Sequence, residues 1–475
     1  MSDILLQYDR IAPTTWVYVS SLLMIGLFFK FNRLWSVRNL DLLLLILLAP
    51  GLVLVHFGRQ EQIAQSDPAA VESPLTTGAG ADAVAPRGKL SSEDLEWFGF
   101  VWLLSVGGLL LLRLLSDPTM VRRPLLEPNL SPGGLIFIGC SLCVFLMANV
   151  ISGTPTEDDL IGVKEAEQMI SRKATQDDDG LSRHGPGYPL LHILPTISTI
   201  HLTENNHRLL EPQRQELIRR TVAKTMAIVS HLAIVLGVVV IGYRHFDNIR
   251  MGIGAATMYL MLPYTAQMTG ASLHVLPAAL LVWAVVFYRK PLVAGMFIGL
   301  ATGVVYYPMF LLPLWVSFYW QRGRARFVGG VSLMLALAVF PLIFISGSAE
   351  DFLGHVRQMF GMWRPVMEGL DGIWAYCDPW YRLPVLAAFV VLSFSFAVWP
   401  PQKNLGTLIS CSAAVMLASQ FWHGHGGGVY VAWYLPLMLL TIFRPNLEDR
   451  VALTVLGESW FPRRRSDMSS VGRAA

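Results

Sequence analysis

Long runs without a single charge recur through this sequence, among them LLLLILLAPGLVLV at residues 42–55, HLAIVLGVVVIG at 231–242 and LLVWAVVFY at 280–288. In water such runs would aggregate, so lipid is the solvent in which most of the chain must fold. The composition agrees: of 475 residues, 53% are hydrophobic and only 15% charged, with a mean hydropathy of +0.49. Inside lipid every backbone N–H and C=O needs an internal partner, which leaves helices as the reading of these runs. The expected fold is an all-α polytopic membrane protein of about 11–13 transmembrane helices with interfacial helices outside the membrane.

Candidate spans fall at 14–30, 40–57, 96–115, 134–152, 221–242, 251–265, 271–288, 292–305, 307–320, 327–346, 384–399, 404–420 and 429–443. Several are shorter than the roughly 20 residues of a perpendicular span. The segment from Leu292 to Trp320 is too long for one straight helix and short for two, with a natural break between Gly303 and Pro308. The first run lacks a basic leader and a clear cleavage site, so it reads as a retained span. Cys140 and Cys143 form a CxxC within an apolar run and read as packing residues.

Basic residues orient the helices. Arg33 and Arg38, Arg122 and Arg123, Arg244 and Arg250, Arg289 and Lys290, Arg322 to Arg326, Lys403 and the tail FPRRR fall on alternate connections. Short cytoplasmic loops collect Lys and Arg, so the amino terminus is expected outside and the carboxy terminus in the cytoplasm, in a membrane such as a bacterial inner membrane. That alternation requires 292–320 to return to its starting side. A net charge of +3 gives no reason to expect a nucleic-acid partner.

The external face then receives 58–95, 153–220, a turn at 266–270, 347–383 and 421–428. Residues 64–92, rich in Ala, Gly, Ser and Pro, read as a flexible excursion. The 153–220 stretch holds a short helix after Pro155, the run DDD at 177–179, the interfacial GYPLLHILPTISTIHL and EPQRQELIRR leading into the next span. No Walker A loop, dinucleotide GxGxxG or HExxH occurs.

Four constellations can carry chemistry. The first is Glu157, Asp158 and Asp159 in TPTEDD: a carboxylate at the lipid boundary can act as a general base or hold a divalent metal, with Asp158 favoured narrowly, while the plain alternative is a charged helix exit. The second is RHGPGYPLLHILP, where Arg183 and His184 can meet a phosphate and Tyr188 a sugar or lipid head, or the segment simply turns the chain. The third is 347–383, with His355, Arg357, Trp363, Arg364, Glu368, Asp371, Trp374, Tyr376 and Trp380, suited to a polyisoprenyl phosphate, a carbohydrate or an aromatic belt. The fourth is His423 and His425 in a glycine-rich turn, read as a close approach beside the substrate cavity with His423 as a substrate-binding candidate; with Asp158 they are also the candidate metal ligands, although spacing names no further ligand. His231, Gln267 and Arg113 are minor candidates, His231 as an interhelical hydrogen-bonding residue.

Residues 134–443, through TPTEDD, GPGYPLLHILP, KPLVAGMFIGLATGVVYYPMFLLPLWV and YVAWYLPLMLL, resemble the GT-C superfamily of integral membrane glycosyltransferases, in the style of bacterial polyprenyl-phosphate-dependent mannosyltransferase-like families. The resemblance implies a GT-C-like module with external loops 153–220 and 347–383, preceded by a three-span extension (1–133) and followed by a cytoplasmic tail (444–475). It implies Asp158 or Asp159 as catalytic base, Arg183, His184 and Tyr188 near a polyprenyl-phosphate sugar donor, and Arg357, Trp363, Arg364 and Trp374 toward lipid or acceptor. The acceptor would be a glycan, lipid or protein of the cell envelope. Two other classes remain: a transporter for a lipid or anionic solute, which would carry ionisable residues deep in its spans, and a noncatalytic subunit of a larger membrane complex.

Overall fold

The computed structural model describes residues 12–66, 91–120, 126–171, 184–203, 211–345, 348–359 and 367–445, and among them there are helices and no strand. In chain order the helices are α1 (Pro13–Phe28), α2 (Val37–Ser66), α3 (Ser92–Ser116), α4 (Pro132–Ser152), α5 (Glu157–Ser171), α6 (Gly187–Thr203), α7 (Glu211–Arg244), α8 (Ile249–Met261), α9 (Pro263–Gln267), α10 (Ser272–Val286), α11 (Pro291–Val304), α12 (Leu312–Phe318), α13 (Arg324–Ile345), α14 (Ala349–Met359), α15 (Arg382–Val398), α16 (Leu405–Trp422) and α17 (Leu435–Phe443). Local chemistry sets their starts. Ser91 and Asp94 form a reciprocal capping box on α3, Asn404 and Thr407 another on α16, and Pro stands at the first helical position of α1, α4, α9 and α11.

Among the described residues seven helical stretches are long and apolar enough to cross a membrane: Val37–Gln62, Ser92–Thr119, Pro132–Ser152, Pro212–Arg244, Arg324–Ile343, Pro379–Val398 and Leu405–Trp422. The chain is an all-α polytopic membrane protein. The remaining predicted spans become shorter pieces, each with a physical stop. The span predicted at 251–265 ends at Met261 because Pro263 excludes a helical Leu262, and the chain restarts as α9. The 292–320 segment breaks between Val304 and Tyr307, passes through a 3-10 turn at Tyr307–Leu311 and resumes as α12. At nine residues α17 rises only about 14 Å, half a bilayer core.

Burial explains how such fragments are tolerated. Only 17% of the apolar stretch of α4 and 22% of that of α15 are covered by protein, against 94% for α16, and α8 and α17 are buried almost throughout. The least covered stretches are thus long helices such as α4 and α15, while α16 and the short pieces α8 and α17 lie inside, where protein and not hydrocarbon meets the ends of the short ones. Glycines permit the closest contacts. Gly295 and Gly299 on α11 face the backbone of α13, where a Cβ at Gly299 would come 2.7 Å from Val331 O and one at Gly295 would collide with Phe327 O.

The basic connections gather at one end of the bundle. Arg38 donates to Glu127 O at 2.9 Å, Arg250 to Leu130 O at 2.9 Å, and His245 Nε2 to Val286 O at 2.8 Å. At the other end α5 and α6 pack on each other and on α7, whose 34 residues rise about 50 Å and so overrun a bilayer core. Arg219 near the start of α7 pairs with Glu167 of α5 at 2.9 Å. The predicted short helix after Pro155 is α5, and the predicted interfacial segment is α6, which exposes Leu194, Ile197 and Ile200 along one side while burying Tyr188, His192 and Thr196 along the other. The excursion predicted at 64–92 and the DDD run lie largely or wholly outside the described residues.

Candidate functional site

Asp159 stands at the third position of α5, and its Oδ2 accepts from the backbone N–H of Thr156 at 2.9 Å and from its hydroxyl at 2.8 Å. This is half of a capping box, so the acidic triplet does hold the helix start. The three carboxylates nevertheless diverge. Glu157 is exposed and pairs with Lys164, which lowers its pKa; Asp158 is exposed; Asp159 is half-buried. A Cβ on Gly270, in the turn between α9 and α10, would meet Asp159 Oδ2 at 3.7 Å, so that carboxylate faces the main bundle.

Beside it, the glycines of RHGPGYP do what their lack of a side chain allows. Gly185 donates to Val304 O at 2.8 Å, and a Cβ on Gly187 would lie 2.6 Å from Gly303 C, so α6 begins flush against the end of α11. This brings the fully buried Tyr188 hydroxyl to 2.7 Å from Ser272 Oγ at the start of α10. Burial raises the Tyr188 pKa, so it stays a neutral hydroxyl. His184 is buried against Tyr188, with ring centroids 5.0 Å apart, and its Nε2 lies 3.2 Å from Glu165 Oε1. His192, one turn beyond Tyr188, donates from Nδ1 to Tyr188 O at 2.8 Å, and burial pushes its pKa down to about 4.

The turn carrying Gly270 and Ser272 and the corner after α11 connect this group to a second one. His274 Nδ1 is 2.9 Å from the Tyr264 hydroxyl, and its ring stacks on Tyr430 at 4.2 Å. Tyr430 lies 4.7 Å from His423, whose Nδ1 is hydrogen-bonded to the Tyr307 hydroxyl; Tyr306 donates to that same hydroxyl at 2.8 Å. Trp422 and Trp433 enclose Tyr307 at 5.5 and 5.2 Å. Arg382, at the head of α15, donates to Trp422 O at 3.0 Å and lies over the Trp374 ring.

An ion-paired clasp closes the flank. Arg59 of α2 bridges Glu96 of α3 at 2.9 Å and Asp371 at 2.8 Å, and Gln62 and Tyr376 also donate to Glu96. Burial, then the adjacent Glu96 carboxylate, raises the Tyr376 pKa to about 12. Asp371 N donates to Gly424 O, and Gly372, at φ +72, leaves its missing Cβ 2.9 Å from Gly426 Cα. The predicted 347–383 and 421–428 loops therefore meet.

Of the sequence-predicted residues, Asp159, His184 and Tyr188 share one corner, and Trp374, His423 and half-buried His425 share the second cluster. Arg357 is exposed on α14, while Arg183, Trp363 and Arg364 lie outside the described residues. Among the described residues no three His, Cys, Asp or Glu side chains gather as a metal set. His231 bridges helices as expected, to Thr269 O and the Tyr259 hydroxyl. The sequence reading missed Arg59, Glu96, Tyr264, His274, Tyr306, Tyr307 and Arg382. Two signals were available: the adjacent tyrosines before Pro308 at the break in 292–320, and Arg59 and Glu96 at the facing ends of two long apolar runs. Compared with known proteins, the chain matches no family model, no curated protein and no solved structure.

Proposed function

We propose that this protein is a membrane glycosyltransferase of GT-C type that moves a sugar from a polyprenyl-phosphate donor to an acceptor hydroxyl at the external face. The observation that carries the reading is Asp159: a half-buried carboxylate at the mouth of the α5–α6 corner, beside Gly270 and the Tyr188–Ser272 pair and next to a cluster of buried His, Tyr and Arg side chains. Asp159 stands beside this corner whereas Asp158 is exposed, which favours Asp159 as the base. In the reaction Asp159 takes the acceptor proton, the acceptor oxygen bonds to the anomeric carbon, and the sugar–phosphate bond breaks with its electron pair leaving on the lipid phosphate. The lipid-facing flank of α6 supports a donor delivered from the membrane.

The test is transfer by the purified protein from polyprenyl-phosphate sugars. Asp159→Asn is expected to lower the rate by about 10²–10⁴-fold, the usual contribution of a general base, and Asp158→Asn by less than about tenfold. Full transfer by Asp159→Asn rejects the assignment.

A further inference from the structure

The cations at the basic end of the bundle are not all used alike. Several are committed inside the fold: Arg38 and Arg250 donate to backbone carbonyls, Arg113 and Arg444 pair with buried carboxylates, and Lys403 donates to Pro400 O at 3.0 Å. Arg322, Arg324 and Arg326, in the connection from α12 into the first turn of α13, differ. All three are exposed, and among the described residues none of them pairs with a carboxylate or donates a hydrogen bond to the protein. No Asp or Glu occurs anywhere between Asp247 and Glu350, so the surrounding sequence supplies no counter-charge. The first turn of α13 holds no acidic residue, and the positive end of the helix dipole adds to the field of the arginines instead of offsetting it. The chain gathers positive charge where its own helix disfavours it.

The fold concentrates that charge at one corner. The Tyr319 hydroxyl, just before the connection, donates to Tyr288 O, and a Cβ on Gly323, at φ +95, would lie 2.6 Å from Pro291 Cγ. The α12–α13 connection is thereby laid on the α10–α11 connection, which carries Arg289 and Lys290. Trp320 is 62% exposed, and the Arg324 guanidinium lies 4.4 Å from its ring centroid. An exposed Trp ring beside a cation suits the level of lipid headgroups. From Arg326 a stripe of exposed apolar side chains, Leu333, Leu337 and Phe340, continues along α13 at helical spacing, within a stretch apolar enough to cross a membrane. A bilayer that bathes this stripe meets the arginines with its headgroups.

We propose that this corner is a docking surface for anionic phospholipid headgroups, so that the protein retains acidic lipids in the leaflet at its basic end. Charge complementarity selects the partner. Guanidinium groups suit phosphate oxygens, and a zwitterionic headgroup brings a cation of its own to a corner already rich in them, whereas an anionic one does not. The ligand is a two-chain lipid of the bilayer and not a substrate. The corner lies at the end of the bundle away from α5 and α6, and the inference does not rest on the transfer reading.

Binding of phosphatidylglycerol and phosphatidylcholine to the purified full chain in a nonionic detergent, followed by native mass spectrometry, tests it, with the unfolding midpoint of each variant recorded alongside. The parent should bind phosphatidylglycerol at least about tenfold more tightly than phosphatidylcholine. Arg322→Gln, Arg324→Gln and Arg326→Gln should each weaken phosphatidylglycerol by about fivefold, and the triple variant by about 10²-fold, with phosphatidylcholine unchanged. Arg33→Gln removes an exposed cation from the α1–α2 connection and should change the preference by less than about twofold. Equal binding of the two lipids by the parent, or a parent-like preference in the folded triple variant, overturns the proposal. A loss in Arg33→Gln as large as in Arg324→Gln overturns it too, because total charge and not this corner would then set the preference. Displacement of the lipid by inorganic phosphate at equal concentration would mark a site for a soluble anion and overturn the lipid assignment. No turnover is measured, so these results are separate from the loss of transfer in Asp159→Asn.

Discussion

The two ends of the bundle handle buried polarity in opposite ways. At the basic end Arg113 pairs with Asp41 through two bonds of 2.7 and 3.0 Å and with Asp117 at 3.2 Å, and Arg444 pairs with Asp117 from the other side. Asp41, Asp117 and Arg444 are all buried, and each charge faces an opposite one, so helices α2, α3 and the end of α17 are tied together by an ion-pair network, with Arg444 Nε alone of its guanidinium donors left over. At the α5–α6 end, buried hydrogens on His423, Trp422 and Trp433 face no acceptor. Buried charges paired in this way hold the helices together, whereas the unpartnered donors at the other end add no bond to the fold.

The largest effect should come from opening the ion-pair network. Asp117→Ala leaves Arg113 with Asp41 alone and Arg444 without its carboxylate in a site that is 0% exposed at Asp117. Removing one partner of a buried ion pair typically costs about 3–5 kcal/mol. Denaturant unfolding in detergent measures it, and a loss under about 1 kcal/mol would mean that the network adds little to the fold.

A pH titration reaches the other end next. His192 stays neutral in the folded chain down to about pH 4, because burial disfavours its charged form, whereas an unfolded histidine protonates below about 6.5. Between those values the unfolded state binds the extra proton, so stability falls as the pH falls from about 6.5 toward 4. The difference corresponds to about 3 kcal/mol, and His192→Gln should remove that part of the slope. An identical acid limb in parent and variant would exclude His192 as its source.

How legible each end was follows from how its parts are spread along the chain. The long outer helices could be read because an uncharged run facing lipid is decided by composition alone; α2, α3, α4 and α7 lie where the runs predicted them. The inner pieces α8, α12 and α17 have the same composition and read as spans, yet burial among other helices lets Pro263, the 304–307 break and the 3-10 turn at Val431–Trp433 cut them short. Likewise Asp159, His184 and Tyr188 were found because they come from a short stretch with an unusual Gly/Pro pattern. Arg59, Tyr264, His274, Tyr307 and Arg382 come from five separate segments, most within apolar sequence, and only the packing of the helices brings them to the predicted His423.

The smallest effect discriminates most between the two ends. Trp433→Phe deletes an unpartnered buried N–H and part of a ring in the second cluster. Losing the ring atoms costs on the order of 1–2 kcal/mol, and losing an unsatisfied donor returns on the order of 1–3 kcal/mol, so stability should stay within about 1 kcal/mol of the parent. A drop of about 3 kcal/mol on unfolding would class Trp433 with Asp117 as part of the scaffold. Near-neutral stability is what separates a donor that bonds nothing in the fold from one already committed to it.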